Sequence, residues 1–292
     1  MSAPTICILL LIVVVPALWT IDLAFQRVSL FNIGSAGIFG RYTLANLRQV
    51  IQDPGFVSGI IATLAYSVFG TLLSVILGLA AALALRKRFR GRSLIRSAML
   101  LPYVAPVVAV TYVWQVMLSP TVGLVNQIGV NLLGWRQPIP FLSEQSGHLG
   151  PITVPTALII VILFDTWRYF PFAVLFYSAR IQALPPELEE AAKTDGATTL
   201  QRFRYIIYPQ LHNVTLLLVL LRFIWTFNKF DDVYLLTGGG AGTQVVSIRV
   251  YQYLTASSNV GASTAEALLL AVMLGVFAVI FVLFQRRTEA TA

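Results

Sequence analysis

Charge is scarce in this chain of 292 residues. Asp, Glu, Lys and Arg make up 11% of it, against 57% for hydrophobic residues. A water-soluble domain carries about 25% charged residues to cover its surface. The shortage excludes a separate soluble domain, because no stretch between the apolar blocks is long enough to bury its own core. Cysteine is nearly absent: Cys7 stands alone, which excludes an internal disulfide and a cysteine metal cluster. The two histidines, His148 and His212, lie far apart without ligand-like spacing and read as loop residues. The phosphate-cradling pattern G-x-x-x-x-G-K-[ST] is missing. The one glycine cluster, Gly238-Gly239-Gly240-Ala241-Gly242-Thr243, has no lysine and reads as a flexible outer loop. No carboxylates stand at a convincing acid–base spacing. The expectation is a chain without a catalytic site, metal or cofactor of its own.

What is present is apolar sequence in blocks about twenty residues long, the length that crosses a bilayer as a helix. Six spans are predicted, over 3–25, 56–85, 97–118, 152–177, 214–236 and 264–284, giving an all-α membrane protein. The first lacks the basic start and small-residue cleavage site of a signal peptide and reads as a retained helix. Orientation follows from the basic loops. Arg86, Lys87, Arg88, Arg90, Arg92 and Arg96 follow the second span. Arg180, Lys193, Arg202 and Arg204 follow the fourth, and Arg286 and Arg287 the sixth. The opposite side carries Arg27, Arg41, Arg48, Arg136 and Arg249. An even number of spans then puts both termini in the cytoplasm. The net charge of +8 reports topology, not nucleic acid.

The sharpest signal is the cytoplasmic loop over 178–212. Its centre reads Leu184-Pro185-Pro186-Glu187-Leu188-Glu189-Glu190-Ala191-Ala192-Lys193-Thr194-Asp195-Gly196-Ala197. Proline suits a helix start, and the glutamates fall in the opening turns, where the helix dipole favours negative charge. Leu188, Ala191 and Ala192 make one narrow apolar face. Gly196 can adopt the left-handed geometry that ends a helix. Thr198 and Gln201 have capping-box spacing, so a second helix is predicted from there to Pro209. The result is a helix-turn-helix between spans four and five. It is either an ordinary amphipathic connector or a plug for another protein's groove.

These residues resemble the signature of binding-protein-dependent ABC importer permeases: E-A-A-x-x-x-G, nine residues, then I-x-L-P. Here Glu190-Ala191-Ala192 precedes Gly196, and nine residues later come Ile206 and Pro209, with Tyr208 in the leucine position. The outer Leu235-Leu236-Thr237-Gly238-Gly239-Gly240 stretch looks like the carbohydrate-uptake (maltose and glycerol-phosphate) branch. The resemblance implies a single permease domain over 1–292 in the bacterial inner membrane. It implies a second homologous permease, two ATPase subunits and an extracytoplasmic solute-binding protein as partners, with lipid around it. ATP and Mg would belong to the ATPase. Glu190, Ala191, Ala192, Asp195, Gly196 and Pro209 would form the ATPase-coupling set.

Charges inside spans usually face a cavity or a partner. Asp165, Arg168, Tyr169 and Phe172 fall at i, i+3, i+4 and i+7 of span four, beside Pro171, where a kink is expected. Arg222, Trp225, Thr226 and Lys229 repeat the spacing on span five. At about 1.5 Å per residue from inner ends at Tyr177 and Val214, Arg168 lies about 14 Å, Arg222 about 12 Å and Trp225 about 17 Å into the bilayer. The two stripes either line the substrate path or pair internally, Asp165 with Arg168 along its helix, and Arg222 and Lys229 with Asp231, Asp232 or the partner permease. Three cations against Asp165 alone would suit an anionic, phosphorylated or sulfonated sugar, unless the second permease supplies acids. The Asp165-Thr166-Trp167-Arg168-Tyr169-Phe170-Pro171 segment also resembles the family's Asn-Thr-Trp-x-x-Phe-Pro. Glu266 reads as an interfacial residue, and Trp19, Tyr103, Trp114 and Tyr251 as interface anchors. The competing reading is an ion-driven secondary carrier, which would show internal repeats with paired broken helices.

Overall fold

The computed structural model describes residues 7–8, 10–37, 40–86, 89–149 and 152–290. Lys87 and Arg88 of the basic loop, and residues 3–6 of the first predicted span, lie outside the described residues. Among the described residues, four helices are long and apolar enough to cross a bilayer: Gly55–Ala84, Thr156–Gln182, Thr199–Phe227 and Val260–Gln285. Arg92–Val104 and Val107–Leu118 make a fifth span only if counted together. Leu10–Ala24 is apolar but shorter.

Three predicted spans differ from the observed helices. The third is not straight: its two halves meet at 98°. Pro106 has no amide hydrogen and disfavours helical geometry in the residue before it, and Ala105 is accordingly extended, with ψ 143°. The fourth begins at Thr156, because Ile152–Val154 instead pairs antiparallel with Gly147–Leu149. This ribbon is an exception to the all-α expectation. The fifth does not start afresh after Pro209. One helix runs through that proline from Thr199 to Phe227, then breaks before the short helix Asp231–Thr237. A wide π-helical turn at Phe203–Ile207 lies just upstream of Pro209, where it loosens the ladder that the proline ring would otherwise strike.

The most extensive helix pairing joins Gly55–Ala84 to Thr156–Gln182. Small residues allow it. Gly59, Thr63, Ser67, Gly70, Thr71, Ser74 and Gly78 are buried along one face of the first of these helices, the pattern that lets helix backbones approach in lipid. A methyl at Gly78 would overlap Ala173 and sit 3.0 Å from the Phe170 carbonyl oxygen. Around this seam Val75, Phe170, Ala173, Val174, Tyr177, Leu211 and Leu218 form the inner half of the core. Tyr66, Val161, Phe164, Val233 and Ile248 form an outer cluster. The opposite faces stay apolar and open, with Val57, Ile61, Phe69 and Ile76 exposed on one helix and Val272, Val276 and Ile280 on another.

The glycine cluster forms a hydrogen-bonded turn. Gly238, Gly239, Ala241 and Gly242 all have positive φ, geometry that glycine reaches without strain. The Thr237 and Thr243 hydroxyls close the turn at 2.6 Å.

Candidate functional site

The two charged stripes meet. Arg222 donates from Nη2 to Asp165 Oδ2 at 2.6 Å and from Nε to Ser74 Oγ at 3.3 Å. Tyr66 donates its hydroxyl to the other carboxylate oxygen at 3.2 Å. Asp165, Arg222 and Tyr66 are all fully enclosed, so the pair links two helices and presents no exposed surface. The approach is possible because Gly70 leaves space: a methyl there would lie 2.8 Å from Asp165 Oδ2. The predicted local pair of Asp165 with Arg168 does not form. Arg168 instead has Asp232 at 3.9 Å and donates to the Ala105 carbonyl at 3.3 Å, which ties it to the break in the bent span.

Tyr169 is the common neighbour of all three cations. Its ring lies 4.4 Å from the Arg222 guanidinium carbon, 5.6 Å from that of Arg168 and 4.9 Å from Lys229 Nζ. Its hydroxyl accepts from Lys229 at 2.5 Å and from Arg168 at 3.3 Å. Lys229 also reaches Asp231 at 3.1 Å and Asp232 at 3.6 Å. The helix break at 228–230 brings these acids back over the stripe, so the three cations face Asp165, Asp231 and Asp232. The apparent cation excess disappears.

Of the eight residues on the predicted stripes, Asp165, Arg168, Arg222 and Thr226 are buried. Tyr169, Phe172 and Lys229 are half-buried, and Trp225 is 43% exposed. Trp225 packs on Phe172 at 5.0 Å between ring centroids, and Tyr103 on both Tyr169 and Phe172 at 6.1 Å. An aromatic face thus opens where the charged cluster closes. Tyr103 and Trp114 are half-buried and pack on the Thr156–Gln182 helix, Trp114 lying 5.3 Å from Phe164. Sequence reasoning missed Tyr66 and Ser74. The repeat of Gly, Ser and Thr along their helix was the available signal.

The loop between Thr156–Gln182 and the next long helix folds as its residues suggest. A helix runs from Pro186 to Thr194, and Gly196 follows with φ 79°. Thr198 caps the next helix reciprocally with Gln201, at 2.7 and 3.3 Å. Glu190, Ala191, Asp195, Gly196 and Pro209 are exposed, and Ala192 is half-buried. Leu188 and Leu200 are exposed as well. Glu189 points the other way. It pairs with Arg86, at the end of Gly55–Ala84, and with Arg202 at 3.3 Å, so one carboxylate ties this short helix to two long ones.

A second ionic knot joins the turn before Gly55–Ala84 to the last two helices. Glu266 is fully buried, not interfacial, and accepts from Arg249 Nε at 2.6 Å. Arg249 also donates to Asp53 at 3.1 Å. Gly59 leaves room for this arginine, whose Cδ lies 2.8 Å from where a methyl would stand. Burial raises the Asp53 carboxyl, but the Gly55 amide, Arg249 and Tyr253 outweigh it and hold it below its ordinary value. Burial and the Asp53 carboxylate push the Tyr253 hydroxyl up to about 12.

The family described as "Binding-protein-dependent transport system inner membrane component" matches residues 74–290. The "Inner membrane ABC transporter permease protein YcjO" of Escherichia coli (strain K12) is 34% identical over 97% of this chain and 92% of its own length. The "Trehalose/maltose transport system permease protein MalF" of Thermococcus litoralis is 30% identical over 96% of this chain and 90% of its own. Among solved structures, a bacterial alginate ABC transporter in complex with an alginate pentasaccharide-bound periplasmic protein superimposes with a TM-score of 0.81. It is 22% identical and covers 99% of this chain and 93% of the matched one.

Proposed function

From the premise that the chain belongs to the family of binding-protein-dependent transport system inner membrane components, we propose that it forms half of the translocation path of an ABC importer for a sugar or sugar-like solute. One observation carries the coupling half of this reading: the Pro186–Thr194 helix turns Glu190 and Ala191 outward while Glu189 anchors its back. An exposed apolar and acidic face that finds no partner among the described residues suits the groove of a second protein. That protein is the ATPase subunit, and ATP and Mg bind there. Closure of the ATPase pair swings the short helix, and Glu189 passes the movement to the spans behind Arg86 and Arg202.

The membrane reading counts the apolar helix Leu10–Ala24 as a span. The bent pair counts as one span, and the four long helices complete six. Both termini then face the cytoplasm. The other partners are a second homologous permease, covering the open apolar faces, and an external solute-binding protein. A sugar suits the half-exposed Trp225 and Phe172, because flat aromatic rings stack on the apolar face of a pyranose. The balanced charges around Tyr169 supply no argument for an anionic solute, and Asp165 and Arg222 act as a brace behind the aromatic face.

The test is uptake into vesicles reconstituted with both permeases, the ATPase and the binding protein. Sugar accumulation should require ATP and stop with vanadate. Accumulation driven by an ion gradient alone would instead establish a secondary carrier.

A further inference from the structure

We propose that Arg86, Arg92, Arg96 and Ser178 form a binding site for a phosphate-bearing anion at the cytoplasmic ends of the spans. They line a cavity of about 140 Å³ together with Gln182 and Ile181. It lies between the end of Gly55–Ala84, the start of Arg92–Val104 and the last turns of Thr156–Gln182. No carboxylate lines it. Two polar atoms on its residues, Arg92 Nε and Ser178 Oγ, are buried without a hydrogen-bond partner among the described residues. Buried donors in natural proteins are nearly always satisfied, so a site carrying two idle ones is built for an acceptor from outside the chain. Gln182 does not supply it: its amide donates to the Ser178 carbonyl at 3.0 Å.

Arg92, Arg96 and a hydroxyl, with Arg86 shared with Glu189, suit a phosphate in charge and in donors, and arginine recognises its oxygens with paired N–H donors. Basic pockets between spans on the cytoplasmic side are where anionic headgroups bind. The surroundings suit a lipid, since Phe89, Leu94 and Ile95 stand exposed beside the arginines. Arg86 also contacts Glu189 of the proposed coupling helix, so the anion would sit one side chain away from it. The placement rests on the membrane orientation proposed above.

The experiment uses the assembled transporter in phosphatidylcholine nanodiscs carrying a minor fraction of phosphatidylglycerol, with retained lipid counted by native mass spectrometry. In parallel, inorganic phosphate is titrated into phosphatidylcholine-only samples while thermal unfolding is followed. Each arginine near the surface contributes about 5-fold to anion affinity, so R92Q/R96Q should reduce phosphatidylglycerol retention about 25-fold. Ser178→Ala, which leaves every topology-setting charge in place, should reduce it several-fold. That pattern assigns a lipid headgroup. Stabilisation by inorganic phosphate that both variants abolish, without selective lipid retention, assigns a free anion. Equal retention by the parent and both variants, with no phosphate response, overturns the site. ATP-driven uptake by the same preparations reports separately on the transport reading, whose failure would leave the lipid result interpretable.

Discussion

Arg222 carries a full charge into the protein interior, and the residues around it explain how that is tolerated. A carboxylate, a serine hydroxyl and the face of Tyr169 surround the guanidinium. Removing one partner of a buried pair leaves the other uncompensated, at about 3–5 kcal/mol. Asp165→Asn should therefore lower thermal stability steeply in detergent. Asp165→Leu combined with Arg222→Met should recover most of the loss, since paired apolar replacements often match a buried ion pair. A double variant no more stable than the single one would show that the pair does more than brace two helices. At the second ionic knot the sign of the pH effect follows from Asp53. Its folded value lies below its unfolded one, so the stabilisation is complete above about pH 4. It is lost as pH falls through the lowered folded value. Thermal unfolding followed down through that range should show an acid-side loss that Asp53→Asn diminishes.

At the scale of elements, contact distance rather than hydrophobicity governs the central helix pair. Gly78→Ala would push a methyl into Ala173 and should destabilise the protein by about 1–3 kcal/mol. Gly275, in the last helix, has open space where a methyl would stand, with no neighbouring atom within 4 Å. Gly275→Ala should therefore be neutral or stabilise by up to about 1 kcal/mol. Comparing the two unfolding curves separates close packing from helix propensity. The Pro186–Thr194 helix, proposed to couple to the ATPase, is held by charge. Glu189→Gln should weaken its attachment to Arg86 and Arg202, with uptake falling at least about 5-fold while the assembled transporter still hydrolyses ATP. Parallel loss of both activities would point to failed assembly instead.

For the whole molecule, the proposed orientation places Gly196 and Gly240 on opposite sides of the bilayer. In a Cys7→Ser background, Gly196→Cys should react with an impermeant maleimide only in inside-out vesicles, and Gly240→Cys only in right-side-out ones. Labelling of both from the same side would break the topology. Much of this plan was legible in the chain. Apolar blocks marked the Gly55–Ala84 and Val260–Gln285 helices to within a few residues, because helix length follows from local hydrophobicity. The helix start at Pro186, the left-handed Gly196 and the Thr198–Gln201 cap were equally readable, since each depends on neighbours within four positions.

Other features depend on residues far apart in the sequence. Asp165 finds Arg222 and not Arg168 because Gly70 lets two helices approach, a fact carried by a third helix. Lys229 meets Asp231 and Asp232 close by in sequence, as one of the two readings expects, but Asp232 reaches Arg168 only because the chain breaks after Phe227. Trp225 remains accessible while Arg222, one turn away, does not, because Tyr169 and Ser74 close over one face of the helix only. The amino-acid order by itself determined which segments are helical and apolar, and which short loop carries the family's motif, through local propensity and hydropathy. Tertiary structure alone decided which distant charges neutralise each other and which side chains remain open to a solute, because pairing between helices and burial are properties of the space between them.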